Sequence, residues 1–251
     1  MSLWALEAEG VRYGYGVRPV IENLTLRIAV GARHALIGPN GAGKTTLLHL
    51  LTGFQRPQVG RLRLLGADMT DLSPEARVKR GLARSFQITQ LFPNLTPLTS
   101  ILLALAERAG KSGGWWHPLA GDSARVAEAN ALLAQVGLTS VAEIETRRLA
   151  YGQQRLLEIA LALALKPQVL LLDEPAAGVP RDESATLIDH LLALPPSVTL
   201  LLIDHDMELV FRFADRISVL VAGAILVEGA PAEIAANADV RRVYLGDDSH
   251  V

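Results

Sequence analysis

The sequence predicts an α/β fold with a mainly parallel sheet, an antiparallel β subdomain at the N-terminus and an inserted α-helical subdomain. A glycine-rich loop stands between a short apolar strand and a helix-like run, which is the setting of a phosphate-binding loop. Two later strands, at 168–172 and 198–203, are apolar without alternation, as is typical of strands buried on both faces of a parallel sheet. The stretch from 98 to 136 has a helical pattern instead.

The phosphate loop runs from Gly38 to Thr46 and fits the pattern G-x-x-x-x-G-K-S/T. Glycines let the backbone wrap closely around an anion, and the loop amides and the following helix N-terminus supply donors and partial positive charge. We expect Lys44 to contact the β- and γ-phosphates of a nucleotide and the Thr45 hydroxyl to ligate Mg²⁺. The strand and helix beside the loop disfavour the alternative, a chance glycine-rich turn. The loop residues assigned to nucleotide binding are Asn40, Gly41, Ala42, Gly43, Lys44, Thr45 and Thr46.

The composition limits the classes of function. The chain has 251 residues, half of them apolar, and its 24 basic and 26 acidic residues nearly balance. This balance gives no electrostatic footprint for nucleic acid. Cysteine is absent, which excludes disulfides, zinc–thiolate sites and thiol catalysis. The sequence has no signal-peptide pattern at its start and no apolar run of the roughly 20 residues that span a bilayer. We therefore expect a soluble cytoplasmic protein.

The N-terminal region is predicted to form antiparallel strands. Residues 6–9 and 24–28 alternate between apolar and polar side chains, and glycines punctuate an aromatic turn at 13–16. A tyrosine of this turn could stack on a nucleotide base or pack inside a hairpin, and its spacing leaves both roles open.

The rest of the chain is predicted to alternate between strands and helices. The predicted strands lie at 61–66, 82–87, 168–172, 198–203, 216–221 and 224–228, the last two forming a hairpin about Ala222 and Gly223. The predicted helices lie at 73–81, 101–108, 123–136, 155–165, 183–194 and 207–213, with one more beginning at 231. A loop at 111–118 carries Trp115 and Trp116, which either face a partner or membrane or fold back on their own helices.

Polar side chains end three of the predicted strands, at Gln87, at Asp173 with Glu174, and at His205. Active-site residues of a parallel sheet cluster at the carboxyl ends of its strands, so we expect these side chains near the phosphate loop. Asp173 follows four apolar residues, like a Walker B carboxylate that holds Mg²⁺, and Glu174 is a candidate general base for water. Each assignment has an ordinary alternative. The acidic pair could cap a helix, Gln87 could be a surface residue, and His205 could be a structural histidine.

Ahead of the apolar helix that precedes Asp173, the chain reads Leu149-Ala150-Tyr151-Gly152-Gln153-Gln154-Arg155. Along the chain the motifs follow the order phosphate loop, glutamine, this stretch, Asp-Glu and histidine. In this order of motifs the sequence resembles the nucleotide-binding subunit of an ABC transporter. The stretch itself resembles the ABC signature. The resemblance covers nearly the whole chain. It implies a P-loop NTPase core with an antiparallel β subdomain, formed by residues 1–88 and 166–251, and a helical signature subdomain at 89–165.

The resemblance also implies ATP and Mg²⁺ as ligands and a role for each site residue. Tyr15 would stack on adenine, and Gln87 would ligate Mg²⁺ and sense the attacking water. Glu174 would be the catalytic base and His205 a switch at the γ-phosphate. In this family the signature contacts the ATP held by a second cassette, so that two ATP molecules are enclosed between a head-to-tail pair. The residues implied to act in trans are Ala150, Tyr151, Gly152 and Gln153.

The signature has a physical interpretation as well. Gly152 permits close approach of the backbone, and the amides that head the following helix form an anion site. A single copy of each motif implies a homodimer or a pair with a paralogous cassette. ATP would hold the pair closed and hydrolysis would release it, as a population shift between closed and open dimers.

Three positions depart from the usual pattern of the family. The signature serine is Ala150, which removes one hydroxyl donor, and a hydrogen bond to a charged group contributes about 1.5–3 kcal/mol. Residues 176–180, after Glu174, occupy the place of the family's D-loop, and Pro180 stands where Asp or Asn is common. This substitution weakens the expectation that position 180 contacts the partner cassette. Tyr151 replaces a signature glycine, and Tyr followed by Gly-Gln-Gln-Arg resembles the LivG-like branch that serves branched-chain amino acid importers.

Further stretches resemble the same branch, at 81–87, 91–96, 203–207 and 240–246. The resemblance implies an ATP-hydrolysing subunit of an importer of branched-chain amino acids or related small polar solutes, lying peripherally on the cytoplasmic face of the membrane. Its partners would be transmembrane permease subunits, a second cassette and, indirectly, a solute-binding protein. Phe92, Pro93 and Leu95 are candidates for the groove that receives a helix of the permease.

Two other functions are alternatives. A soluble ABC ATPase acting on nucleic acid or ribosomes usually has two cassettes in one chain or long coiled-coil insertions. This sequence has neither feature and no basic patch. An inactive, structural cassette is disfavoured because the phosphate-loop lysine, the acidic pair and the histidine are all present.

Overall fold

The structure is a computed structural model that describes residues 3–85, 91–110 and 122–245. Its strands are β1 (Trp4–Tyr15), β2 (Arg18–Ala29), β3 (Arg33–Ile37), β4 (Val59–Leu64), β5 (Ala67–Asp68), β6 (Leu82–Arg84), β7 (Val169–Asp173), β8 (Thr199–Ile203), β9 (Arg216–Val221) and β10 (Ala224–Gly229). Its helices are α1 (Lys44–Thr52), α2 (Pro74–Lys79), α3 (Pro97–Arg108), α4 (Ser123–Gln135), α5 (Tyr151–Ala164), α6 (Arg181–Leu192), α7 (Met207–Phe213), α8 (Pro231–Ala236) and α9 (Ala238–Leu245). The predicted α/β fold class is confirmed. Gln87, Trp115 and Trp116 lie outside the described residues.

The strands form two sheets. One has the order β2-β1-β4-β5 with antiparallel pairs, which confirms the antiparallel β subdomain. The other has the order β10-β9-β3-β8-β7-β6, and in it β3 pairs in parallel with both β8 and β9. Every residue of β7 and β8 is buried, as their unbroken apolar pattern predicts.

A tight turn joins β9 to β10, as predicted. Ala222 and Gly223 have φ values of 46° and 82°, and two positive φ angles are typical of the type I′ turn that matches the twist of a hairpin. Glu22 donates its amide to the carbonyl of Gly223 at 3.0 Å, and Gly223 donates to the carbonyl of Ala42 at 3.0 Å. The hairpin turn is therefore tied both to β2 and to the phosphate loop.

The chain divides into two compact units. The first unit comprises Met1–Leu82, Gln168–Leu172 and Pro196–Val251, and the second comprises Ala83–Pro167 and Asp173–Pro195. The sequence-based prediction instead assigns residues 1–88 and 166–251 to the core and residues 89–165 to the helical subdomain, so that 173–195 belong to the core. This division into folding domains stays a prediction.

The core of the first unit is built around α1. Leu47, Leu48, Leu50 and Leu51 of this helix are fully buried in one cluster with apolar residues of β1, β2, β3 and β4. Full burial of one such side chain contributes about 1.5–3 kcal/mol. The helix ends at Gly53, whose left-handed φ of 87° allows its amide to reach carbonyls of the last turn. The helix that carries the phosphate loop is thus anchored along its length.

The second unit is mainly helical, with α3, α4 and α5 packed against one another. Helix α3 begins four residues earlier than predicted, because Thr96 caps it and Pro97 takes the first helical position. Arg108 at its end donates to the carbonyl of Ala164 at 2.6 Å and pairs with Glu128 at 2.9 Å, which joins the three helices. No helix within the described ranges has both the length and the apolar character to cross a membrane.

Candidate functional site

The phosphate loop joins the buried strand β3 to helix α1 within the first unit, as predicted. Gly43 caps the helix with a φ of 106°, a left-handed conformation that favours glycine. Gly38 is required by packing, since a Cβ there would fall 2.2 Å from the carbonyl oxygen of Leu220. The backbone of the loop is therefore closely packed against the strand beside it.

Lys44 and Thr45 occupy different environments at the start of α1. The Lys44 ammonium donates to the carbonyls of Gly38 at 2.5 Å and Pro39 at 3.0 Å, so it lies over the loop. Thr45 is exposed, which leaves its hydroxyl open to an ion. Of the remaining loop residues, Asn40 and Gly41 are exposed, whereas Ala42, Gly43 and Thr46 are buried.

His205 follows a strand that is parallel to the one entering the phosphate loop. The register pairs Leu36 with Ile203, so the loop and His205 leave the carboxyl ends of neighbouring strands. Asp204 is buried and accepts the backbone amides of His205 at 2.7 Å and Asp206 at 3.0 Å. The His205 side chain is 64% exposed. Asp204 thus fixes the turn that presents an accessible imidazole at this edge of the sheet.

Asp173 ends β7, and Glu174 follows it, in the second unit. The Asp173 carboxylate accepts a hydrogen bond from Arg84 at 2.9 Å, and the two side chains are only 7% and 15% exposed. Glu174 has a φ of 44°, an uncommon conformation for a residue with a side chain and one that is concentrated at functional sites. Arg84 could not be predicted as a partner of Asp173, because a single basic residue near a strand end is ordinary.

The donor atoms at these positions fit Mg²⁺. This ion prefers oxygen ligands and is usually held by one or two carboxylates together with waters and substrate phosphates. Asp173 and Thr45 offer a carboxylate and a hydroxyl of that kind. Across the described part of the chain, no group of three or more His, Asp or Glu side chains could form a cage from protein alone. The donor type of each of the two residues, taken singly, is therefore compatible with Mg²⁺.

Tyr15 ends β1 and is 52% exposed. Its hydroxyl accepts a hydrogen bond from Gln55 at 2.8 Å, and its ring meets the ring of Tyr13 edge-on at a centroid distance of 5.3 Å. The aromatic ring is therefore anchored and still has open area on which a base could stack. A cavity of about 500 Å³ at the same hairpin is lined by Tyr13 and Pro19, but not by Tyr15 or the phosphate loop.

Helix α5 begins at the signature, four residues earlier than predicted, because the polar first turn hides its periodicity. Ala150 is the N-cap and has no side-chain oxygen for the amides of that turn. Gln153 accepts from the amide of Ala150 at 3.1 Å, and Glu183 of α6 accepts from the amide of Gly152 at 3.2 Å. A carboxylate of the same chain therefore accepts a hydrogen bond from one of the amides that the sequence predicts to form an anion site. Sequence reasoning missed Glu183.

Tyr151 is packed on two sides within the second unit. Its hydroxyl accepts from Arg155 at 2.6 Å, and the guanidinium carbon lies 5.0 Å from the ring centroid, in cation–π range. Arg155 also pairs with the buried Glu158 at 2.9 Å. Gly178 lies against the ring, since a Cβ on it would come within 3.3 Å of a ring carbon. The tyrosine in the signature is thus held by its own helix and by the segment after β7.

A buried histidine lies on β3, the strand that enters the phosphate loop. His34 Nε2 is 2.8 Å from Ser218 Oγ, and that hydroxyl donates to Glu228 at 2.9 Å. Because the serine proton is used on the carboxylate, Nε2 of His34 is the donor to the serine oxygen. Burial lowers the pKa of His34 to about 4, with Glu228 raising it and Arg216 lowering it to smaller extents.

Comparison with protein families gives two matches. The sequence profile of the ABC transporter family matches residues 21–177. The profile of the branched-chain amino acid ATP-binding cassette transporter matches residues 224–250.

Curated relatives match along their full length. The chain is 37% identical over 254 residues to the high-affinity branched-chain amino acid transport ATP-binding protein BraF of Pseudomonas aeruginosa, covering 98% of this chain and 100% of the relative. It is likewise 37% identical over 255 residues to the protein LivG of Escherichia coli, again covering 98% and 100%. Among solved structures, an ATP-binding cassette of an ABC transporter in its ADP conformation has a TM-score of 0.86 at 26% identity, covering 98% of this chain and 100% of that one. A nucleotide-free ATP-binding cassette has a TM-score of 0.83 at 26% identity, covering 97% and 100%.

Proposed function

Because the chain belongs to the ABC transporter family, as an ATP-binding cassette, we propose that it hydrolyses ATP to power uptake of branched-chain amino acids or related small polar solutes. The full-length likeness to BraF and LivG carries this proposal, since both relatives are named for high-affinity branched-chain amino acid transport. The C-terminal match to the branched-chain cassettes supports it independently of the phosphate loop.

The first unit binds most of the nucleotide in this proposal. The adenine stacks on Tyr15, and the β- and γ-phosphates occupy the loop, where Lys44 exchanges its two carbonyl contacts for phosphate oxygens. Thr45 and Asp173 hold Mg²⁺, which neutralises charge on the phosphates when bound. Asp173 would hold the ion in addition to its existing pair with Arg84.

Hydrolysis is assigned to the residues that follow the strands. Glu174 accepts a proton from the water that attacks the γ-phosphate, as a general base. His205 contacts the γ-phosphate from the end of β8, where its imidazole is accessible. Gln87, which lies outside the described residues, is assigned to the ion and the attacking water. These roles require little covalent chemistry from the protein, because phosphoryl transfer depends mainly on positioning and charge.

A second cassette, either another copy or a paralogue, completes each site in this proposal. The signature residues from Ala150 to Gln153 contact the ATP held by the partner. Closure of the pair with ATP and its release after hydrolysis provide the mechanical step.

The membrane partner is proposed to be a pair of permease subunits, supplied with solute by a binding protein. Phe92 is 64% exposed, so its ring is accessible to a partner, and Pro93 and Leu95 lie beside it in sequence. We assign this segment to the contact with the permease, which places the chain peripherally on the cytoplasmic face of the membrane.

The test is ATP-dependent dimerisation measured by light scattering. Glu174→Gln should trap the ATP-bound pair, because it retains binding and removes the base, whereas Lys44→Ala should stay monomeric. Uptake of leucine into vesicles that contain the permease subunits and binding protein should then require the wild-type cassette. A Glu174→Gln variant that binds ATP without pairing, alone or with a paralogue, would overturn the proposed mechanism.

A further inference from the structure

The carboxylate of Glu183 covers the start of the signature helix α5. It accepts the amide hydrogen of Gly152 at 3.2 Å. Gly152 is buried, and a Cβ added to it would lie 2.4 Å from the same carboxylate oxygen. Any other anion that accepts a hydrogen bond from this amide must therefore first displace Glu183.

The sequence of the signature explains why a carboxylate is favoured there. The first amides of a helix have no partner within the helix, and an N-cap side chain normally accepts one of them. Ala150 has no oxygen with which to do so. A negative charge near a helix N-terminus is also favoured by the helix dipole. Glu183 thus supplies, from another helix, the acceptor that the cap position lacks.

The position of Glu183 is fixed by its surroundings. It lies in the first turn of α6, and the neighbouring Ser184 donates to the carbonyls of Val179 at 3.2 Å and Pro180 at 3.0 Å. The segment before α6 also packs on the signature, through Gly178 and the ring of Tyr151. The contact is therefore part of an ordered arrangement within the second unit.

We propose that Glu183 is an internal competitor for the signature of this cassette, occupying the Gly152 amide until the γ-phosphate of ATP held by a second cassette displaces it. This inference rests on the proposed function, because it takes the signature as the surface that closes on the partner's ATP. Glu183 then sets the ATP concentration at which two cassettes pair. A head-to-tail pair has two such contacts, so their effects on association multiply.

The experiment measures MgATP-dependent association of Glu174→Gln with and without a second substitution. Glu183→Gln removes the charge at nearly constant shape, and Glu183→Ala vacates the amide. The matched control is Glu143→Gln, which removes an exposed carboxylate of the same unit. A helix-terminus charge changes affinity by up to about fivefold per site, so the association constant should rise by up to about 25-fold for two sites in both Glu183 variants. The control should leave it unchanged.

The thermal midpoint of the nucleotide-free monomer is the second readout. Glu183→Ala should lower this midpoint, because the helix loses its acceptor, while raising ATP-dependent association. A purely structural role would lower both quantities, and that result would overturn the inference, as would an association constant equal to that of the Glu174→Gln parent. If neither the parent nor the Glu183 variants associate with ATP, whether with themselves or with a paralogous cassette, the proposed function fails together with the inference.

Discussion

Acidification should destabilise this protein through His34, a buried side chain on the strand that enters the phosphate loop. His34 is neutral in the folded chain and donates to Ser218, whose hydroxyl in turn donates to Glu228. Protonation would put a charge into this buried network. Because burial lowers the pKa from 6.5 in the unfolded chain to about 4, the unfolded chain binds a proton more readily between these values. Stability therefore falls as the pH drops from 6.5 towards 4, and His34 contributes no pH dependence above that window.

The size of the effect follows from the two pKa values. With 6.5 for the unfolded chain and about 4 for the folded chain, the linkage relation gives a loss of about 2 kcal/mol at pH 5 relative to pH 7.5. The full loss, about 3 kcal/mol, is reached only below pH 4. A loss of this size is a substantial part of the 5–15 kcal/mol that is typical of folded proteins.

The assay is urea unfolding at pH 7.5, 6.0 and 5.0 for the wild type and for His34→Gln, which retains an amide donor but does not titrate. Carboxylates also contribute to acid sensitivity, so the informative quantity is the difference between the two proteins. The wild type should lose about 2 kcal/mol more than the variant between pH 7.5 and 5.0. Parallel losses in the two proteins would refute the assignment to His34.

Other substitutions test single contacts. Arg84→Met should lower the free energy of unfolding by about 3–5 kcal/mol, because it removes the buried cation that faces Asp173. Arg147→Met, which removes an exposed ion pair, should change it by less than about 1 kcal/mol, and similar losses in urea unfolding would contradict this contrast. Gly38→Ala should abolish binding of a fluorescent ATP analogue, since its Cβ would meet a backbone carbonyl at 2.2 Å, so retained binding would refute that packing argument. Leu50→Ala should cost about 2–5 kcal/mol in thermal unfolding, and a near-neutral result would mean that the core around α1 can collapse.

The elements that can be predicted from the sequence are those with local signals. The phosphate-loop motif predicts a strand, a turn and a helix within a few residues, and β3 and α1 confirm it. The unbroken apolar runs of β7 and β8 predict burial on both faces. Helix starts are predicted less well, because a polar first turn hides the 3.6-residue period, as in α5.

The contacts that complete the candidate site are not local, so sequence patterns do not reveal them. Arg84 and Asp173 are 89 positions apart, and Gly152 and Glu183 are 31 positions apart. Each pair combines residue types that are ordinary on a protein surface. Only the packing of the chain brings them together and removes them from water.

The signature of this cassette differs from the usual pattern at two adjacent positions, and each difference has a structural counterpart nearby. Ala150 lacks a cap oxygen, and Glu183 accepts an amide of the turn that it heads. Tyr151 is bulky where glycine is usual, and Gly178 gives its ring room while Arg155 holds its hydroxyl. Glu183 and Gly178 both lie in the part of the chain that follows β7. Restoring serine at position 150 alone would therefore add a second acceptor to a helix start that Glu183 already covers. We expect Ala150→Ser to strengthen ATP-dependent pairing more in a Glu183→Ala background than in the wild type. Only in that background can the serine hydroxyl and the Gly152 amide both donate to the phosphate without competition from Glu183. Equal gains in the two backgrounds, measured by light scattering on Glu174→Gln proteins, would show that positions 150 and 183 act independently.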